Sequence, residues 1–226
     1  MVNYSENNLI KLIGTVVSDK VFSHEVYGEG FYSFDLEVPR LSENSDIIPV
    51  TVSERLLAGF DFRIGQQVVI DGQFRSYNNY ENEKNKLVLT VFVKDIRVQT
   101  DETDTTNPNE ICLTGFICKK PIYRTTPFGR EIADILLAVN RAYNKSDYIP
   151  CIAWGRNARF CQNIEVGEKV KLWGRIQSRT YEKKFEDGTS EMRRAYEVSV
   201  SKMEIQKDVP NAEEAPEESN PVEQNA

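Results

Sequence analysis

Gly14, Gly28, Val38, Arg40 and Ile48-Pro49 recur as Gly115, Gly129, Val139, Arg141 and Ile149-Pro150, each pair 101 positions apart with no gap. One inserted residue then shifts the match, so Gly65 and Gly72 return as Gly167 and Gly174. After a longer hairpin, Val91 and residues 94–99 align with Val198 and residues 201–206. Two copies of so long a unit do not make a solenoid, which stacks three or more short repeats to bury a core. The chain is therefore read as two tandem domains, 1–100 and 110–207, with a linker over 101–109 and a tail over 208–226.

At 226 residues, each copy has enough chain to close its own core. The longest apolar runs, such as Ile135 to Val139, fall far short of the roughly 20 residues that cross a bilayer. Met1 to Asn8 is too polar for a signal peptide, so a cytoplasmic bacterial or phage protein with no membrane partner is expected. The net charge of −7 conceals a split. Residues 1–100 carry 10 Lys+Arg against 14 Asp+Glu, whereas residues 110–207 carry 18 against 12. Linker and tail are acidic, at −3 and −6, and nearly devoid of large apolar residues, so both are expected to be disordered.

Cys112, Cys118, Cys151 and Cys161 lack a C-x-x-C pair or a neighbouring histidine, which reads as four buried free thiols rather than zinc ligands or disulfides. A phosphate-binding G-x-x-x-x-G-K-[ST] loop is absent, and His24, the only histidine, falls in a polar stretch read as a solvated turn. Neither an enzyme nor a cofactor or metal is expected.

Period-two alternation dominates both copies. Tyr32, Phe34, Leu36 and Val38 share one side of a strand, as do Ala133, Ile135, Leu137 and Val139 at the same parity. Further strands are expected at 9–17 and 111–118, 48–52 and 149–153, 68–74 and 170–176, and 87–93 and 196–200, making five per copy. Short helical turns fit 54–60 and 157–164, where alternation stops. Gly72 and Gly174 interrupt long strands, as at a barrel corner. Asp187-Gly188 reads as a tight hairpin with arms longer than a barrel needs. The expected fold is all-β: two OB-fold five-stranded Greek-key barrels, each with one short helix, followed by the acidic tail.

On the third strand of the second copy, inward Ile149, Cys151 and Ala153 would leave Tyr148, Pro150, Ile152 and Trp154 outward. On the fourth, Lys169 and Lys171 face outward, followed in register by Arg175, Arg179 and Tyr181. Lys183, Lys184, Arg193 and Arg194 lie on the projecting hairpin, and Arg156 follows Trp154 closely. Cations interleaved with exposed rings suit unpaired nucleic acid, because phosphate is attracted while any base can stack. The same rings also fit a minor hydrophobic cluster or a protein interface, and the hairpin cations fit an ordinary solvated surface. The first copy has Ile47 and Ser53 at the places of Tyr148 and Trp154, and Gln67, Asp71 and Gln73 at those of Lys169, Trp173 and Arg175.

The second copy also contains Leu113-Thr114-Gly115, Thr126-Pro127-Phe128-Gly129, Leu137-Ala138-Val139-Asn140-Arg141, Ile152-Ala153-Trp154-Gly155-Arg156, Val166-Gly167-Glu168-Lys169-Val170 and the run from Trp173 to Tyr181. In this order and spacing the set resembles the bacterial single-stranded DNA-binding proteins of the homo-oligomeric OB-fold type. The resemblance implies sequence-tolerant binding of single-stranded DNA in replication, recombination or repair, in association with the nucleoid. Its base-stacking positions fall on Tyr143, Tyr148, Trp154 and Tyr181, and in the first copy on Ser42, Ile47, Ser53 and Asn79. It also implies a homodimer presenting four OB domains, with replication or repair proteins as partners. The acidic tail ends at 220–226 without the family's aspartate run or bulky hydrophobic tip. An OB-fold mediator that mainly holds protein, and a binder of single-stranded RNA, remain as alternatives.

Overall fold

The structure is a computed structural model and describes residues 6–81, 84–100, 107–184 and 188–206. The first copy contributes β1 (Asn8–Val16), β2 (Val21–Val26), β3 (Glu29–Pro39), β4 (Ser45–Ser53), α1 (Glu54–Leu57), β5 (Gln67–Glu81) and β6 (Lys84–Val98). The second contributes β7 (Asn109–Ile117), β8 (Ile122–Thr125), β9 (Glu131–Arg141), β10 (Lys145–Trp154), α2 (Arg156–Cys161), β11 (Lys169–Lys184) and β12 (Ser190–Ile205). The expected tail, most of the expected linker and the tip of the second hairpin at 185–187 lie outside the described residues.

Each copy closes a ring of strands. In the first the order is β1–β3–β4–β6–β5 and back to β1; in the second it is β7–β9–β10–β12–β11 and back to β7. The β4–β6 and β10–β12 contacts are parallel, as a Greek-key return requires, and every other pairing is antiparallel. Both copies are OB-fold barrels. Strands β2 and β8 were not expected, yet each is the far arm of a bent first strand. Val16 of β1 opposes Leu36 on β3 and Val21 of β2 opposes Ser33 on the same edge; Ile117 and Ile122 follow Leu137 and Asp134 in the same way.

Alternation sends Leu36, Val38, Ile48, Val50 and Phe74 into the first barrel, and Leu137, Val139, Ile149, Leu172 and Ile176 into the second, all essentially without solvent contact. Gly72 and Gly174 sit where β6 and β12 each carry an irregularity in register. A Cβ at either glycine would strike a backbone carbonyl oxygen, of Phe92 or Ser199. The barrel can therefore turn its long strand at these points because the side chain is missing.

Two sequence readings need correction. Cys112 and Cys118 are only partly buried, whereas Cys151 and Cys161 are buried as expected; all four are free. His24 lies on β2 rather than in a turn, with its ring stacked on Phe31 at 5.0 Å between centroids.

The two barrels share one twelve-stranded sheet because β1 pairs antiparallel with β7. Ile10 opposes Ile111, its own repeat equivalent, so the seam has pseudo-two-fold symmetry, an isologous interface within one chain. The same symmetry produces two clasps. The backbone N–H of Ser178, on the second hairpin, donates to Asp46 Oδ1 at 2.7 Å. The backbone N–H of Ser76, on the first hairpin, donates to Asp147 Oδ1 at 2.8 Å. Each hairpin is thus tied to the third main strand of the other barrel, β4 or β10.

Candidate nucleic-acid interface

Strand β10 lies between β9 and β12, and its even-numbered side chains face away from the second core. Tyr148 is 49% exposed and Trp154 is 36% exposed, while Ile149, Cys151 and Ala153 between them are buried. The indole N–H of Trp154 donates to Ser199 Oγ on β12 at 3.2 Å, which fixes the ring without covering it. Ile152 shares the outward parity but is buried. It sits between Asp134 on β9 and Ser199 on β12, where an aliphatic side chain on a flanked strand is covered by its neighbours. Parity therefore gives direction, not accessibility.

The pairing of β11 with β12 carries this face onward. Arg179 opposes Ala195 and Tyr181 opposes Arg193, with the Arg179 guanidinium 5.6 Å from the Tyr181 ring centroid. Arg179 also lies 3.7 Å from Glu197, and Arg193 hydrogen-bonds Glu191 at 2.8 Å. Arg194 and Lys184 are exposed, and Lys183 is half-buried on the same hairpin. Tyr143 stands in the β9–β10 turn, 95% exposed, at φ +60° beside Asn144 at φ +53°. Two consecutive non-glycine residues in the left-handed region are unusual and mark a turn that displays its ring. Arg156 opens α2 and is exposed.

Lys169 and Lys171 belong to a different part of the wall, before the Gly174 bend, where they pair with Phe116 and Thr114 on β7. A lateral row joins them to the rest: Tyr148 opposes Ala138, Ala138 opposes Phe116, and Phe116 opposes Lys169. At strand spacing, that row runs roughly 14 Å around the barrel. Phe116, 37% exposed in the middle of it, was not singled out from the sequence. The available signal was the outward parity of Thr114 and Phe116 together with the Thr15 that replaces Phe116 in the first copy.

Arg175 does not join the face. Its guanidinium lies 3.3 Å from Asp46 Oδ2 at the seam between barrels. Burial holds its pKa below the ordinary arginine value, reinforced by Arg40 and opposed by Asp46. At the clasp it shares the single Asp46 carboxylate with Arg40 across the seam. Among the described residues, no group of three His, Cys, Asp or Glu side chains converges as a metal site would, and no helix is long and apolar enough to cross a membrane.

The second copy is thus an OB-fold barrel that carries rings and cations along β10, β12 and β11. The Single-strand binding protein family profile matches residues 108–206. The chain is 34% identical over 105 residues to single-stranded DNA-binding protein 3 of Clostridium acetobutylicum, covering 43% of this chain and 69% of that one. It is 36% identical over 84 residues to single-stranded DNA-binding protein B of Bacillus subtilis, covering 33% and 72%. The chain belongs to the single-strand binding protein family. Against single-stranded DNA-binding protein 1 of Staphylococcus aureus it is 38% identical over 81 residues, 33% of this chain and 48% of that protein, so it spans about half of that relative's length. The crystal structure of the wild-type single-stranded DNA binding protein from Thermus aquaticus superposes with a TM-score of 0.71 at 16% identity, covering 94% of this chain and 96% of the other. At that identity the likeness establishes the fold alone.

Proposed function

We propose that the protein binds single-stranded DNA without strong sequence preference, mainly through the second barrel. The observation that carries this reading is the outward placement of Tyr148 and Trp154 on β10, flanked by Tyr143, Tyr181 and a set of cations. Stacking on such rings contributes about 1–3 kcal/mol per base and tolerates any base. Arg156, Arg179, Lys169, Lys171, Lys183, Lys184, Arg193 and Arg194 supply phosphate contacts. With about 4 of them engaged, log K falls against log salt with a slope of roughly −3. Titrating tryptophan emission with poly-dT at two salt concentrations tests both halves, and a slope near zero removes the electrostatic one. Equal affinity for poly-U would extend the target to RNA.

In this reading the protein is a binder rather than an enzyme, acts on unpaired DNA in replication, recombination or repair, and works in the cytoplasm at the nucleoid. Two chains associate to present four barrels, for which sedimentation of the free protein gives the mass.

A further inference from the structure

The first copy lacks the stacking set, yet its hairpin reaches the face of the second barrel. The Ser76 N–H donates to Asp147, and Ser76 Oγ accepts from the backbone N–H of Tyr148 at 2.7 Å. These two bonds fasten β5 to β10 immediately before Tyr77. Tyr77 is 52% exposed. It lines a groove of about 730 Å³ between the barrels, within the range that holds a small ligand. Pro150, from the outward side of β10 between Tyr148 and Trp154, lines the same groove, as do Tyr181, Met192 and Arg194 of the second copy. The groove is therefore continuous with the face described above.

We infer that the groove is a further single-strand site, in which Tyr77 of the first copy provides a stacking ring in the same groove as Tyr181 of the second. This rests on the function proposed above. The lining favours nucleic acid over an apolar peptide because tyrosine rings stand beside arginines, the combination that receives a base and its phosphate together. The first barrel thus contributes through the side chain it lends to its neighbour. Tyr77 falls at the repeat position of Arg179, so matching the copies to one another does not reveal it as a stacking position.

Tyr77→Ala is expected to weaken dT binding by about fivefold or more. Tyr77→Phe, which keeps the ring, is expected to bind like the unmodified chain, an outcome that a merely structural role for the hydroxyl would not give. In a background that carries both Trp154→Phe and Trp173→Phe, Tyr77→Trp places the single indole in the groove, and its emission is expected to change as dT is added. Unchanged dT affinity in Tyr77→Ala, or an unresponsive Trp at 77, overturns the inference and leaves the groove to a protein. Trp154→Ala separates the two readings. If it loses affinity while Tyr77→Ala does not, the groove fails and the proposed function stands; if neither loses affinity, the proposed function itself fails.

Discussion

Asp46 and Asp147 hold the same place in the repeat and are both fully buried, yet their surroundings differ. Asp46 takes two hydrogen bonds from Arg40, at 2.8 and 2.6 Å, and further ones from Ser178 and Arg175. Burial opposes its charge, but Arg40 and Ser178 together hold its carboxyl below the ordinary range. Asp147 has the Ser76 amide and an Arg141 Nε at 3.3 Å from Oδ2, within ion-pair distance but without hydrogen-bond geometry. Among the described residues, Asp147 Oδ2, Arg141 Nε and Arg75 Nε have no hydrogen-bond partner. Burial pushes the Asp147 carboxyl up, and Ser76, Arg141 and Arg75 offset this only in part. A pseudo-symmetric scaffold needs both clasps to place its hairpins, but it does not need them equally strong. The weaker clasp holds the strand that carries Tyr77, and the stronger holds the strand that carries Arg179.

The largest expected contrast between them is in stability. Asp46→Asn leaves Arg40 and Arg175 facing each other and is expected to cost about 3 kcal/mol, the low end for a broken buried pair because both arginines stay partly solvated. Asp147→Asn also leaves Arg141 and Arg75 without their counter-charge, but it removes a charge that burial already disfavours, and it is expected to cost less, about 1 kcal/mol. Urea unfolding of both variants decides the matter, and equal losses would erase the distinction between the clasps.

In binding, Tyr148→Ala is expected to cost about 1–3 kcal/mol with poly-dT, while Ile47→Ala at the equivalent site is expected to cost nothing measurable. A matching loss at Ile47 would mean that the barrels share the work evenly.

Acid dependence gives a finer comparison. The Asp46 carboxyl has its pKa lowered on folding, so its stabilisation is fully present above the unfolded carboxylate value and is lost as pH falls through the lower, folded one. Asp147 has a raised value, so its unfavourable contribution is absent below the unfolded value and grows as pH rises through the folded one. The urea midpoint of Asp147→Asn relative to the parent is therefore expected to rise with pH across that window, and that of Asp46→Asn to fall as pH rises through its own. The smallest effect expected is from the tail: deleting residues 208–226 is expected to tighten dT binding at low salt by removing acidic competition for the basic copy.

Much of the fold was legible because barrel strands leave local marks. Inward Leu137, Val139 and Ile149 alternate with half-exposed neighbours, and Gly72 and Gly174 identify the corners. Strands β2 and β8 were not legible: Val21 to Val26 is exposed throughout and has no buried side to impose a period. In the candidate face, the direction of Tyr148 and Trp154 could be read from parity. The burial of Ile152 and the diversion of Arg175 to Asp46 could not, because each depends on a neighbour distant in sequence.

The amino-acid order determined by itself that there are two barrels, which residues enter each core, and that the second copy is the basic, aromatic one. These follow from local periodicity and from comparing the copies. Only the tertiary structure decided that Ile10 meets Ile111, that each hairpin clasps the other barrel, and that Tyr77 shares a groove with Tyr181. The physical reason is that a β-strand's own pattern specifies which side is apolar but not which edge will pair with it, so contacts across the seam are set by the pairing of β1 with β7.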